Sequence, residues 1–76
     1  MPSALSKLPK TFGNALREAR VKAGLTQMSL AERADLTLNY VGEVERGEKL
    51  ASLETVVRLA AGLGLSGADL LNKAGL

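Results

Sequence analysis

The polar chemistry in this sequence rests on amides, hydroxyls, carboxylates, lysines and arginines, because histidine and cysteine are both absent. That removes disulfides, Cys/His zinc sites and imidazole acid–base catalysis. The carboxylates fall on predicted helix surfaces. No nucleophile stands beside a base, and no glycine loop is built to cradle phosphate. Neither an enzyme, a cofactor nor a metal is expected. Recognition chemistry remains, densest in GLTQMSLAERADLTLNYVGEVERGE, residues 24–48. There Asn39 offers a paired donor and acceptor, Glu43 an acceptor and Arg46 a fork of donors. At about 100° per residue, Asn39, Gly42, Glu43 and Arg46 fall on one side of a helix, with Leu38 at its edge. Val41 and Val44 fall on the other side. Such a helix is anchored by one face and free to enter a groove with the other. It is about 10–12 Å across, and the major groove of DNA is about 12 Å wide.

The elements that must hold this helix are also short helices. No stretch alternates apolar and polar residues with β-branched enrichment, so no sheet is expected. Phe12, Ala15, Leu16, Ala19 and Ala23 recur on one face of a first helix. Thr11 is placed to cap its start, and Gly24 to stop it. Thr26 caps a second helix to about residue 34, with Leu30, Ala31 and Ala34 inward. Thr37 caps a third to about residue 46, and Gly47 stops it. Ser52 caps a fourth, with Glu54 in its first turn. Leu53, Val56, Val57, Ala60 and Leu63 form its apolar stripe, and Gly64 ends it. Ser66 and Asp69 resemble a capping box for a fifth helix through Leu70 and Leu71. The reading is all-α, with five short helices.

A chain of 76 residues fits one domain. Residues 1–10, with Pro2, Pro9 and two serines, read as a flexible basic arm, and residues 11–76 as the domain. No apolar run reaches the roughly 20 residues of a membrane helix, and no signal peptide is evident. A cytoplasmic protein with no membrane partner is expected. The net charge of +2 is uneven: residues 1–22 carry five bases against one acid. A basic N-terminal region leading into the first helix can attract phosphate.

Residues 24–48 resemble the helix-turn-helix of the phage repressor and Cro family, also called the XRE family. The matching features are the GLTQ entry, Leu30-Ala31, Ala34, the Leu36-Thr37 turn, Tyr40-Val41 and the Val44-Glu45-Arg46-Gly47 exit. Leu16-Arg17 and Arg20 upstream match too, as do Ser52-Leu53-Glu54-Thr55 and Leu59-Ala60 downstream. The resemblance implies a lambda-repressor-like domain that binds double-stranded DNA and regulates transcription. Thr26 and Gln27 then open the second helix against phosphate, and Gln27 braces the third. Leu38, Asn39 and Glu43 occupy base-facing positions. Thr37, Tyr40 and Arg46 occupy positions that reach the sugar-phosphate backbone, and Lys49 lies in a loop that tracks it. Arg20 and Glu45 pair to tie the first helix to the third.

Asn39 suits adenine N6 and N7, and Glu43 suits cytosine N4. Glu43 alternatively serves as a solvated charge or as the partner of an arginine within the chain. Leu38 meets a thymine methyl or covers the core edge. Where relatives carry glycine in the turn, this chain has Asp35, which tolerates a positive φ at some strain. Leu63, Leu65, Leu70, Leu71 and Leu76 are more apolar side chains than a small core needs, the alternative being that they complete the monomer core. A homodimer through the fourth and fifth helices, on a pseudo-palindromic operator, is therefore expected, with Leu63, Leu65, Leu70 and Leu71 at its interface. The run from Tyr40 to Glu48 is similar to restriction–modification controller proteins. Antitoxins and phage repressor headpieces share the pattern. A helical protein-interaction module is the reading from another class.

Overall fold

The computed structural model describes residues 4–76, and the side chains from Ser6 onward. Among them are five α-helices, one 3₁₀ turn and no strand. The turn, Ala4–Lys7, leads into α1, Leu8–Lys22. Then follow α2 (Gln27–Ala34), α3 (Leu38–Glu45), α4 (Leu53–Gly62) and α5 (Gly67–Lys73).

Local chemistry accounts for most boundaries. The hydroxyls of Thr26, Thr37, Ser52 and Ser66 each accept a hydrogen bond from the backbone N–H three residues on. Each thus satisfies one of the donors that a helix start leaves unpaired. Asp69 completes the box by accepting from the Ser66 N–H. That bond, together with the Ser66 hydroxyl, holds the Asp69 carboxyl below its ordinary range. Asp35 closes α2 in the left-handed region, at φ 57° and ψ 47°. Arg58 of α4 supports it, donating to the Asp35 carbonyl oxygen at 3.3 Å.

The N-terminal boundary departs from the sequence expectation. Helix α1 begins at Leu8, so Thr11 lies inside it and caps nothing. Pro9 does not break the helix. It sits in the first turn, where a missing N–H costs nothing and its fixed φ suits the helix. Where a flexible basic arm was expected over residues 1–10, residues 4–10 are helical, and residues 1–3 lie outside the described residues.

The core joins Phe12 and Leu16 of α1, Leu30, Ala31 and Ala34 of α2, and Val41 and Val44 of α3. Val56, Leu59 and Ala60 of α4 and Leu70 of α5 complete it. Ala23, expected inward, is exposed at the end of α1. Leu70 is wholly buried and cannot serve a subunit interface. Leu63, Leu65 and Leu71 are half-buried against the same core. The apolar stripe of α4 is wider than the core it meets. Leu53 is 77% exposed and Val57 53%, one turn apart on the stripe's outer edge.

Two glycines let α1 approach the end of α3. A Cβ on Gly13 would lie 2.7 Å from the Glu45 carbonyl oxygen. At Gly47, where φ is 75°, a Cβ would lie 2.9 Å from the Lys10 Cα. Side chains then lock this crossing. Arg20 donates from Nε to Glu45 Oε2 at 2.6 Å and from Nη2 to Oε1 at 3.1 Å. Its Nη1 donates to the Leu25 carbonyl oxygen at 2.8 Å, in the loop before α2. Gln27 adds a bond from Nε2 to Glu45 Oε1 at 3.1 Å. The Arg20 side chain is 12% exposed and that of Glu45 3%.

Replacing Glu45 alone strands a nearly buried guanidinium. Glu45→Ala is expected to cost about 3–5 kcal/mol, read by urea unfolding. A loss below about 1 kcal/mol would contradict a dependence of the α1–α3 crossing on this pair. Asp35→Gly is expected to raise stability by about 0.5 kcal/mol, because glycine occupies the left-handed region without strain. An unchanged or lowered melting temperature would show instead that the contacts to Arg58 outweigh the strain.

Candidate nucleic-acid interface

The site grows from the two caps that start α2 and α3. Thr26 fixes the first turn of α2, and Thr37 fixes that of α3 by accepting from the Tyr40 N–H at 3.1 Å. With Val41 and Val44 fully buried, the rotation of α3 about its axis is set. Asn39, Leu38 and Arg46 consequently face solvent, and Glu43 is half-exposed. Tyr40 is half-buried, with its ring packed against the core. Leu38 is exposed and belongs to neither the core nor its rim, which leaves its side chain open for an apolar contact.

Gly42 differs from the expected open position. It is buried, because the Arg46 guanidinium lies over it: a Cβ there would sit 2.9 Å from Arg46 Nη1. The guanidinium is held by Glu48, with Nε to Oε2 at 2.8 Å and Nη2 to Oε1 at 3.2 Å. Glu48 accordingly keeps its carboxyl below the usual range, and the same bond raises Arg46. Glu43 has a partner within the chain, but that partner is a lysine: Lys49 Nζ stands 3.6 Å from its Oε2.

Beside α3 runs an open polar groove of about 620 Å³. Its walls are Lys10, Asn14 and Arg17 from α1, Gln27 from α2, and Arg46 and Glu48 at the end of α3. Lys10, Asn14 and Arg17 lie at i, i+4 and i+7, so one face of α1 presents them together. The sequence does not single out Asn14, and it marks Lys10 and Arg17 only through the basic terminus and the family pattern. The available signal was their helical spacing, which is legible only once α1 is known to begin before Lys10. Gln27 is divided between two tasks: one of its two amide N–H groups donates to Glu45, while the side chain still lines the groove.

Among the described residues no helix is long and apolar enough to cross a membrane, and no cluster of ligating side chains could hold a metal. Comparison with known proteins agrees with the geometry. A family model described as "Helix-turn-helix domain" matches residues 11–72. Control protein C.BamHI of Bacillus amyloliquefaciens is 34% identical over 62 residues, covering 80% of this chain and 76% of that one. Two solved structures superpose well. The clp gene regulator ClgR of Corynebacterium glutamicum has a TM-score of 0.84 at 36% identity, covering 99% of this chain and 92% of that one. The restriction-modification controller protein C.AhdI of Aeromonas hydrophila has a TM-score of 0.79 at 40% identity, covering 82% and 94%. The chain belongs to the helix-turn-helix family of DNA-binding transcriptional regulators.

Proposed function

We propose that the protein binds a pseudo-palindromic operator as a homodimer, one α3 entering the major groove at each half-site. The observation that carries this is the continuity of two surfaces. The exposed side of α3 runs directly into the groove bounded by Lys10, Asn14, Arg17 and Gln27. A duplex seated on α3 brings its phosphate backbone over that groove. There the cations and amides supply charge and hydrogen bonds, and the N-terminus of α2 adds unpaired N–H groups.

Roles divide by chemistry. Asn39 reads adenine through its paired donor and acceptor, and Leu38 meets a thymine methyl. Glu43 is half-covered and paired with Lys49, which suits it to excluding phosphate and tolerating cytosine N4. Thr26, Gln27, Thr37, the Tyr40 hydroxyl, Arg46 and Lys49 contact the sugar-phosphate backbone, joined by Lys10, Asn14 and Arg17. The likeness to C.BamHI and C.AhdI favours a restriction–modification controller among regulators. Work in the cytoplasm, at the nucleoid, follows from this role.

The dimer interface is assigned to the outer edge of α4 instead of the half-buried leucines. Leu53 and Val57 stand exposed there, and Leu50, Leu53 and Leu76 rim an apolar groove of about 190 Å³ floored by Phe12, Val56 and Leu71. A second copy docked about a two-fold axis buries the same patch on both partners. Two recognition helices spaced about 34–36 Å apart then match one turn of DNA.

Arg46→Ala is expected to weaken binding to all duplexes and to lower the slope of log K against log salt by about 0.9. Asn39→Ala is expected to lose about 1–3 kcal/mol of preference at one base pair, seen by titrating single-substituted operators. A salt-independent affinity of the wild type for duplex would sink the DNA reading. Leu53→Glu is expected to give a folded monomer by sedimentation equilibrium, with operator affinity reduced. A persisting dimer would move the interface elsewhere.

A further inference from the structure

The Arg46–Glu48 pair does more than decorate the end of α3. Its position is built by the helix stop. The Gly47 N–H donates to the Val44 carbonyl oxygen at 3.0 Å, and the Glu48 N–H to that of Glu43 at 2.9 Å. With Gly47 left-handed, these two bonds form the glycine-dependent helix ending that fixes the following residue relative to the last turn. The Glu48 backbone is thereby held two residues from Arg46, and the carboxylate needs little further ordering to reach the guanidinium. The embrace is two-pronged, using Nε and Nη2. Those are paired donors of the kind arginine presents to two oxygens of a phosphate. The third nitrogen, Nη1, lies over Gly42, where the missing side chain leaves it room.

The carboxylate also lies in the wall of the groove that Lys10 and Arg17 make basic. Farther along, Lys49 faces Glu43 in the same way, although more loosely at 3.6 Å. The four charges at this end of α3 therefore cancel within the chain.

We infer that Glu48 is an intramolecular competitor for DNA phosphate at Arg46, keeping the recognition helix charge-masked until a duplex displaces the carboxylate. This rests on the DNA-binding reading above and deepens it. Glu48 sets how readily the protein engages any duplex, without itself reading a base. Displacement exchanges one anion for another on the same donors. The released carboxylate then stands in the groove beside the incoming backbone. An exposed pair is weak in itself, so the mask moderates affinity and does not abolish it.

The test measures binding to a duplex of unrelated sequence at low salt for the wild type, Glu48→Gln, Arg46→Ala and the double variant. Thermal melts confirm that each is folded. Glu48→Gln is expected to tighten binding about two- to fivefold, the range that a surface pair commands. In the Arg46→Ala background the same change is expected to give no gain, because no masked guanidinium is left to release. An equal gain in both backgrounds would reduce Glu48 to simple repulsion of DNA and overturn the competition. No gain in either would also overturn it. The Arg46 Nε proton, followed by NMR in the free protein, reports the pair without DNA. Its exchange with solvent is expected to be slow in the wild type and faster in Glu48→Gln, and equal rates would overturn the mask alone. Failure of every folded variant to bind any duplex would overturn the DNA reading, and the competition with it.

Discussion

The structure depends on one carboxylate. Glu45, near the end of α3, receives two bonds from Arg20 of α1 and one from Gln27 of α2. Three helices are referenced to a single nearly buried group. Helix α3 is only eight residues long, too short to be stable alone in water. Its orientation therefore comes from tertiary contacts: Val41 and Val44 beneath, Glu45 at its end. No buried side-chain polar atom among the described residues lacks a partner, which is what keeps a buried charge tolerable in so small a core.

The same crossing creates the groove. Gly13 and Gly47 let the backbones of α1 and α3 close to near contact, which brings Lys10, Asn14 and Arg17 alongside the exposed face of α3. Arg20 and Arg17 sit three residues apart on α1 yet take opposite tasks. Arg20 is enclosed with an acid and structural, while Arg17 remains exposed and free to meet an outside anion. Burial, not residue type, separates the two.

Charge at the end of α3 is balanced with equal economy. Arg46 and Lys49 each face a carboxylate of the same segment. The unpaired basic side chains of the groove, Lys10 and Arg17, lie on α1, while the end of α3 stays close to neutral. Under the DNA-binding proposal this division matters, because affinity built on phosphate contacts alone carries no sequence information.

Helix existence and type were legible in the residues. Caps at Thr26, Thr37, Ser52 and Ser66 are local devices that act within four residues, so sequence spacing suffices to find them. The left-handed turn at Asp35 and the family pattern were legible for the same reason. The start of α1 is not legible in the sequence, because proline both breaks helices and opens them, and the residues around it decide which. What only the tertiary structure decided were matters of contact between distant segments. Leu70 went to the core while Leu53 and Val57 were left outside, because the α4 stripe is wider than its neighbours can cover. Gly42 was covered by Arg46, and Glu43 paired with Lys49. Periodicity tells which residues share a face. It does not tell how far the opposing surface extends, nor which charge a long side chain will reach.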